Sequence, residues 1–197
     1  MIFNLPKYSI LILAVSLFAF SCHTKSRKEN IQNEEMENNK VIQLRENHWQ
    51  TYTSVTINAP LEDVWNTLTD WENISNWSST LKSIRGDKSP NGKVVVSYSL
   101  DGNIYETRHK FIFSDKVEFG WSDPMEGSFQ GLTDNHRFRV ERISDNQTLF
   151  IQKDDFKGEG NSNISARDVA NQTIKFFPIF NRELKKEVEN KTSYNHK

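Results

Sequence analysis

The segment Val55 to Trp77 constrains the fold of this chain more than any other, because its hydrophobic period changes once, at a proline. Val55 and Ile57 alternate with Thr56 and Asn58, the period-2 pattern of a half-buried strand. Pro60 follows at what reads as the first helical position, with Glu62 and Asp63 in the turn where the helix dipole is positive. Leu61, Val64, Trp65 and Leu68 then recur at helical spacing and form one apolar face. The spacing predicts a strand over Tyr52 to Asn58 that runs directly into a short helix, Pro60 to Asp70. Trp71 to Thr80 reads as a second short helix or turn, with Ile74 and Trp77 on its apolar side.

From Leu81 onward the chain alternates in short runs divided by turn residues, as antiparallel β structure does. The turns are Gly86 to Gly92, Asp101-Gly102-Asn103, Ser114-Asp115-Lys116 and Ser144-Asp145-Asn146. Between them lie Lys93 to Leu100, Ile104 to Phe113, the run around Phe119 and Trp121, and a last hairpin of His136 to Ile143 with Thr148 to Phe156. The chain then turns helical: Val169, Ala170, Ile174, Phe177, Phe180, Leu184 and Val188 return mostly at spacings of three and four. Pro178 falls inside that pattern, where a proline kinks a helix or marks its restart. One strand, two small helices, about six further strands and a long C-terminal helix make an α+β domain. A curved antiparallel sheet wrapped on one long helix tends to leave an apolar cavity between them.

The ends differ from this domain. Of 197 residues, 36% are hydrophobic, and residues 23–47 hold almost no core-forming side chains. Tyr8 to Phe20 is almost wholly apolar, too short to span a bilayer but suited to an export signal. It ends at Ser21-Cys22, the only cysteine, and so resembles a bacterial lipoprotein signal, in which the cysteine becomes the lipid-bearing first residue. Residues 1–21 are thus expected to be the signal peptide, Cys22 the lipidation site, and 22–47 a flexible tether spanning roughly 27 Å as a coil. Residues 191–197 read as a disordered tail. The expected location is the bacterial cell envelope, with the domain held at the membrane by its lipid anchor.

The order of elements, with these residues, resembles the superfamily of START and Bet v 1-like domains (SRPBCC), in particular its polyketide cyclase/dehydrase and lipid-transport branch. Val55-Thr-Ile-Asn-Ala-Pro-Leu-Glu-Asp-Val-Trp65 carries part of the match, and the region of Trp77 another, although Ser78-Ser79 stands where relatives often have Asn-Pro. The rest lies in Asn135-His-Arg-Phe-Arg-Val-Glu141, Leu149 to Gly158 and Phe180-Asn-Arg-Glu-Leu-Lys-Lys-Glu-Val-Glu189. The resemblance covers residues 48–190. It implies the helix-grip fold of that superfamily and a hydrophobic small-molecule ligand, and it carries no shared catalytic set.

Chemistry is less legible. Formal net charge is −1, with 25 basic and 26 acidic residues interspersed, which argues against a nucleic-acid partner. The five histidines show no metal-ligand spacing, and no phosphate loop or nucleophile elbow is present, so neither a metal nor a cofactor is expected. Ligand-binding candidates are the polar residues that share strand faces with phenylalanines. His109 is in register with Tyr105 and Phe111, His136 with Phe138, and Gln152 and Asp154 with Phe150 and Phe156. Phe177 and Phe180 face them from the helix. Each polar candidate has an alternative reading, hydrogen-bonded to backbone or exposed near a strand end. An apolar pocket of a few hundred Å³ is expected between residues 174–184 and the faces of Phe111, Phe138 and Phe150. The leading function is a lipid-anchored envelope protein that binds a small hydrophobic ligand there. The alternatives are a polyketide cyclase-like or other acid–base enzyme and a structural, partner-binding lipoprotein.

Overall fold

The first long strand of the domain pairs with the last, and this closure shapes everything between them. The computed structural model describes residues 38–158, 162 and 164–195. The expected signal, Cys22 and most of the expected tether lie outside the described residues. Strands are β1 (Lys40–Arg45), β2 (His48–Ile57), β3 (Leu81–Gly86), β4 (Lys93–Leu100), β5 (Asn103–Ser114), β6 (Glu118–Trp121), β7 (Leu132–Thr133), β8 (His136–Ser144) and β9 (Gln147–Gly158). Helices are α1 (Leu61–Leu68), α2 (Ile74–Trp77), α3 (Ala166–Thr173) and α4 (Phe177–Asn195). All pairings are antiparallel, in the order β1-β2-β9-β8-β6-β5-β4-β3, with β7 beside β9. The curved open sheet and its long C-terminal helix form the helix-grip fold expected from the sequence.

Turn chemistry sets much of the register. Asp101 and Gly102 both take positive φ, 49° and 81°, the backbone of a type I′ hairpin that matches strand twist. It joins β4 to β5 with Leu100 opposite Asn103 and Tyr98 opposite Tyr105. At Gly120 a Cβ would lie 1.9 Å from the carbonyl oxygen of His136, so only glycine lets β6 approach β8 this closely.

The concave face of the sheet carries Val55, Ile57, Phe111, Phe119, Phe138 and Phe150, and it is closed by α1, α2 and α4. Leu61, Val64, Trp65 and Leu68 of α1 are buried, as their spacing requires, and each contributes roughly 1.5–3 kcal/mol by leaving water. Pro60 is the residue before the helix, with ψ at 149°, rather than its first residue. Trp65 donates its indole N–H to Asp115 at 3.0 Å, and Trp71 stands edge-on to Phe119 with ring centroids 4.8 Å apart. From α4, Phe180, Leu184 and Val188 repeat every fourth residue and are buried. Pro178 marks the restart: α3 ends at Thr173, and the proline sits in the first turn of α4, where its missing N–H costs no intrahelical bond. A second apolar cluster joins Leu132, Phe156, Ala166, Val169 and Ala170, with Val41 and Trp49 packed against it.

Two expected boundaries are corrected. Residues 40–45, assigned to the tether, form an edge strand paired with β2. Val41 and Ile42 are half-buried there, and Asn47 at φ 51° turns the chain back, so two apolar residues and one turn residue are enough when a neighbouring strand exists. At the other end α4 continues through Asn195, so most of the expected disordered tail is helical. The ion pair of Lys191 with Glu187 at 3.0 Å supports that last stretch.

Candidate functional site

Along the concave face of β5, exposure falls in steps. Tyr105 is 46% exposed, Thr107 and His109 are half-buried, and Phe111 is fully buried. Each is two residues from the next, so the pleat puts all four on one face. On β4 the partners are Tyr98 for Tyr105, Val96 for Thr107 and Val94 for His109, and the two tyrosine rings stack with centroids 5.7 Å apart. This half of the sheet therefore presents an open aromatic floor that leads inward to polar groups.

The inner end of that floor is a connected set of titratable side chains. His109 stacks on the indole of Trp121, centroids 4.7 Å apart and planes 20° from parallel. Its Nδ1 lies 3.1 Å from Asp123 Oδ2 and its Nε2 2.7 Å from Thr107 Oγ1. Trp121 donates its own N–H to Asp134 Oδ2 at 3.0 Å, and its ring meets His136 edge-on at 4.8 Å. His136 lies between the rings of Phe138 and Phe177, at 4.4 and 4.8 Å. Its Nε2 is 3.0 Å from the side-chain nitrogen of Gln152, and its Nδ1 faces Asp154 at 3.7 Å. Asp154 accepts the backbone N–H of Asn135 at 3.0 Å.

Burial governs the protonation of these groups. Loss of water holds His109 below the ordinary histidine value, although its hydrogen bond with Asp123 pulls the other way. His136 is pushed well below that value by burial, with His109 and Arg137 adding repulsion. Asp134 is pushed up to about 6, chiefly by burial, against the stabilising N–H groups of Asp123 and Trp121. Asp154 is raised well above the carboxylate range, by burial first and then by Asp134 nearby. Tyr98 is raised as well, by burial and then by the charges of Asp134 and Tyr105. Burial thus favours the neutral forms of both imidazoles and of both carboxyl groups, a combination suited to hydrogen-bonding a polar group or moving a proton. Among the described residues, the buried acceptors Gln152 Oε1 and Asn181 Oδ1 have no protein partner. The two residues are linked through Thr53, whose hydroxyl receives the Asn181 amide at 2.9 Å and donates to the backbone carbonyl of Gln152 at 3.1 Å.

Of the residues singled out from sequence, His136, Phe138, Gln152, Asp154 and Phe177 meet around one imidazole, and His109 joins them through Trp121. Phe111 turns instead to Trp71, Phe113 and Phe119 in the core. Phe138, Phe150 and Phe180 contact one another with centroids 5.4 to 6.5 Å apart, so rings pack where a hollow was expected between α4 and the sheet. A recess of about 240 Å³ lies elsewhere, between α1 and the end of α4, and is lined mainly by polar residues including Asp63, Asp70 and Lys191. Thr107, Trp121, Asp123 and Asp134 are not among the site residues expected from sequence. Thr107 could have been found, since it shares the strand face of His109. Asp123 and Asp134 lie outside the strands, where no periodicity points to them.

These features define a helix-grip domain whose curved sheet presents an aromatic, partly polar concave face. The chain belongs to the polyketide cyclase/dehydrase and lipid transport family, whose model matches residues 48–168. Among curated proteins none matches the sequence. Several solved structures share the fold. The Zhui aromatase/cyclase from a Streptomyces species is similar with a TM-score of 0.59 and 13% identity, over 74% of this chain and 96% of that one. A START superfamily protein from Mycobacterium smegmatis gives 0.54 and 13% over 72% and 97%. The di-domain aromatase/cyclase StfQ of the steffimycin biosynthetic pathway gives 0.57 and 11% over 76% and 53%. At such identities the likeness is one of fold. No helix among the described residues is long and apolar enough to cross a membrane.

Proposed function

We propose that this protein binds a small hydrophobic molecule with a polar end, on the concave face between the β4–β5 half of the sheet and the start of α4, and that a lipid on Cys22 holds it at the cell envelope. The observation that carries the binding reading is the graded face of β5, from exposed Tyr105 to half-buried His109 stacked on the buried Trp121 of β6. An apolar ligand would cover the tyrosines, and its polar end would meet the His109 imidazole, which burial disposes to the neutral form. An environment-sensitive apolar dye added to the full chain tests this. Tyr105→Ser and Trp121→Phe are expected to weaken binding about tenfold, while substitution of the remote Asn66 leaves it unchanged; equal binding by all four proteins would remove the reading.

Support for the anchor is confined to the sequence, the short apolar run that ends at the single cysteine. Fatty-acid labelling of the expressed protein is expected to disappear in Cys22→Ser, with precursor accumulating. Labelling that persists in that variant would refute it.

A second reading, an acid–base enzyme of the cyclase kind, is favoured by one observation: burial raises Asp134 to about 6 and lowers His109, which brings a carboxyl and an imidazole of one cluster toward the same pH range.

A further inference from the structure

Thr107, His109 and Asp123 stand in one hydrogen-bonded line, and the line ends at a hydroxyl on the open face. Thr107 Oγ1 is 2.7 Å from His109 Nε2, and His109 Nδ1 is 3.1 Å from Asp123 Oδ2. We propose that Thr107, His109 and Asp123 form a nucleophile–base–acid triad that hydrolyses small apolar carboxylic esters or thioesters lying on the Tyr98–Tyr105 floor. The proposal rests on the reading that this face takes an apolar molecule, and it adds a reaction and its residues.

The roles follow from the bonds. A neutral imidazole whose Nδ1–H donates to a carboxylate presents a lone pair on Nε2, and that lone pair can only accept from the threonine hydroxyl. Asp123 is itself fixed, because the backbone N–H of Lys110 donates to both its carboxylate oxygens at 3.1 and 3.3 Å. The imidazole plane is fixed by stacking on Trp121. The base is thus oriented from two directions and has little freedom to turn away from Thr107. Exposure is ordered to match, with Thr107 next to the exposed Tyr105 and the histidine side chain 11% exposed behind it. A same-strand Thr–His pair alone is a common way to satisfy a half-buried imidazole, but it does not call for an anchored carboxylate on the opposite nitrogen. That third partner comes from beyond the end of β6, fourteen residues away from the histidine.

In the reaction the Thr107 oxygen attacks the acyl carbonyl carbon while its proton passes to His109 Nε2. The tetrahedral intermediate then expels the alkoxide or thiolate, which takes that proton from Nε2, leaving the acyl group on Thr107. A water molecule attacks the ester carbonyl, gives its proton to Nε2, and Thr107 leaves with that proton restored. The products are one carboxylic acid and one alcohol or thiol, and no oxidant or further co-reactant is needed. Tyr98 and Tyr105 bring hydroxyl donors to the same face for the oxyanion. Thr107 and His109 are the catalytic residues, and Asp123 is a positioning residue.

The test uses the full chain with p-nitrophenyl acetate, butyrate and octanoate, a fluorophosphonate label located by mass spectrometry, and the apolar dye in parallel. Hydrolysis above the buffer rate is expected, with the fluorophosphonate on Thr107. Thr107→Val, which keeps the side-chain shape, should lose at least a hundredfold in kcat/KM and all labelling, whereas Thr107→Ser retains both. Asp123→Asn should lower the rate at least tenfold and displace the acid limb of the pH–rate profile, which a merely structural role would not move. Unchanged hydrolysis in Thr107→Val, a label on another residue, or no hydrolysis and no label in the parent protein would each overturn the triad. Dye binding in those same samples separates the two ideas. Binding that persists leaves the ligand reading standing without the triad, and its absence from the parent protein removes both.

Discussion

The ring of Phe180 meets that of Phe138 edge to face, centroids 5.4 Å apart and planes at 65°. Through this contact α4 closes on β8, and Phe150 and Trp77 complete the ring of neighbours at 6.0 and 5.2 Å from Phe180. The middle of the concave face is therefore aromatic core, and the proposed ligand would lie toward the open end beside Tyr98 and Tyr105.

Phe180→Ala should consequently behave as a large-to-small core substitution. A loss of about 3–5 kcal/mol in unfolding free energy is expected from chemical denaturation. The variant should also gain affinity for a benzene-sized apolar probe, since an apolar cavity stays dry. A loss below about 1 kcal/mol would mean that the helix is not held at this point.

The edge strand gives a second expectation. A chain that begins at residue 47 lacks β1, whereas one that begins at residue 38 keeps it. The shorter form loses the β1–β2 ladder and the contact of Val41 with the second apolar cluster. Its melting temperature should fall by several degrees relative to the longer form, as about 1–2 kcal/mol does in a domain of this size. Equal melting temperatures would show that β1 contributes nothing.

Gly120 offers a third. Its would-be Cβ meets backbone rather than a flexible side-chain end, so Gly120→Ala must push β6 away from β8. The cost should be about 1–3 kcal/mol, as for overpacking in a core. Because Trp121 and His136 are opposite each other in that same pairing, apolar dye binding should weaken in parallel. Stability that drops while dye binding is kept would place the ligand away from Trp121.

The fold was readable because its signals are local. One switch from period 2 to period 3.6 at Pro60, and the Asp101-Gly102 hairpin, already determine an α+β domain with an antiparallel sheet. Half of the polar cluster was readable for the same reason, since His109, His136, Gln152 and Asp154 alternate with aromatic residues. The other half was not. Asp123 and Asp134 are brought together by a backbone bond from Asp134 N–H to Asp123 O at 3.1 Å, across a loop whose path no periodicity encodes. The edge strand escaped notice because Val41 and Ile42 are too few to signal a strand until Thr51 and Gln50 are known to lie opposite them. The contacts among Phe138, Phe150 and Phe180 were not legible either, since alternation tells which face phenylalanines share but not how their rings meet across it.

The last expectation concerns Asp134 and pH. Its carboxyl titrates near 3.8 when exposed and near 6 in the fold, so the folded protein keeps a proton that the unfolded chain releases. This group's contribution to stability is therefore fullest below pH 3.8 and is lost as pH rises through 6, by about 3 kcal/mol in total. Asp154, raised in the same direction, adds to that trend. His109 and His136, both lowered, act oppositely, because stability is lost as pH falls below the value of 6.5 at which they take up a proton when unfolded. The full pH curve mixes these terms, and a difference between two proteins isolates one of them. Asp134→Asn keeps an acceptor for the Trp121 N–H but cannot ionise, and the bond it loses to the Asp123 N–H costs the same at every pH. Denaturant unfolding at pH 4 and pH 7.5 should show the variant gaining about 2–3 kcal/mol on the parent protein between those two values. A difference independent of pH would mean that Asp134 ionises in the fold as it does in water, and the acid of the cluster would have to be sought in Asp154.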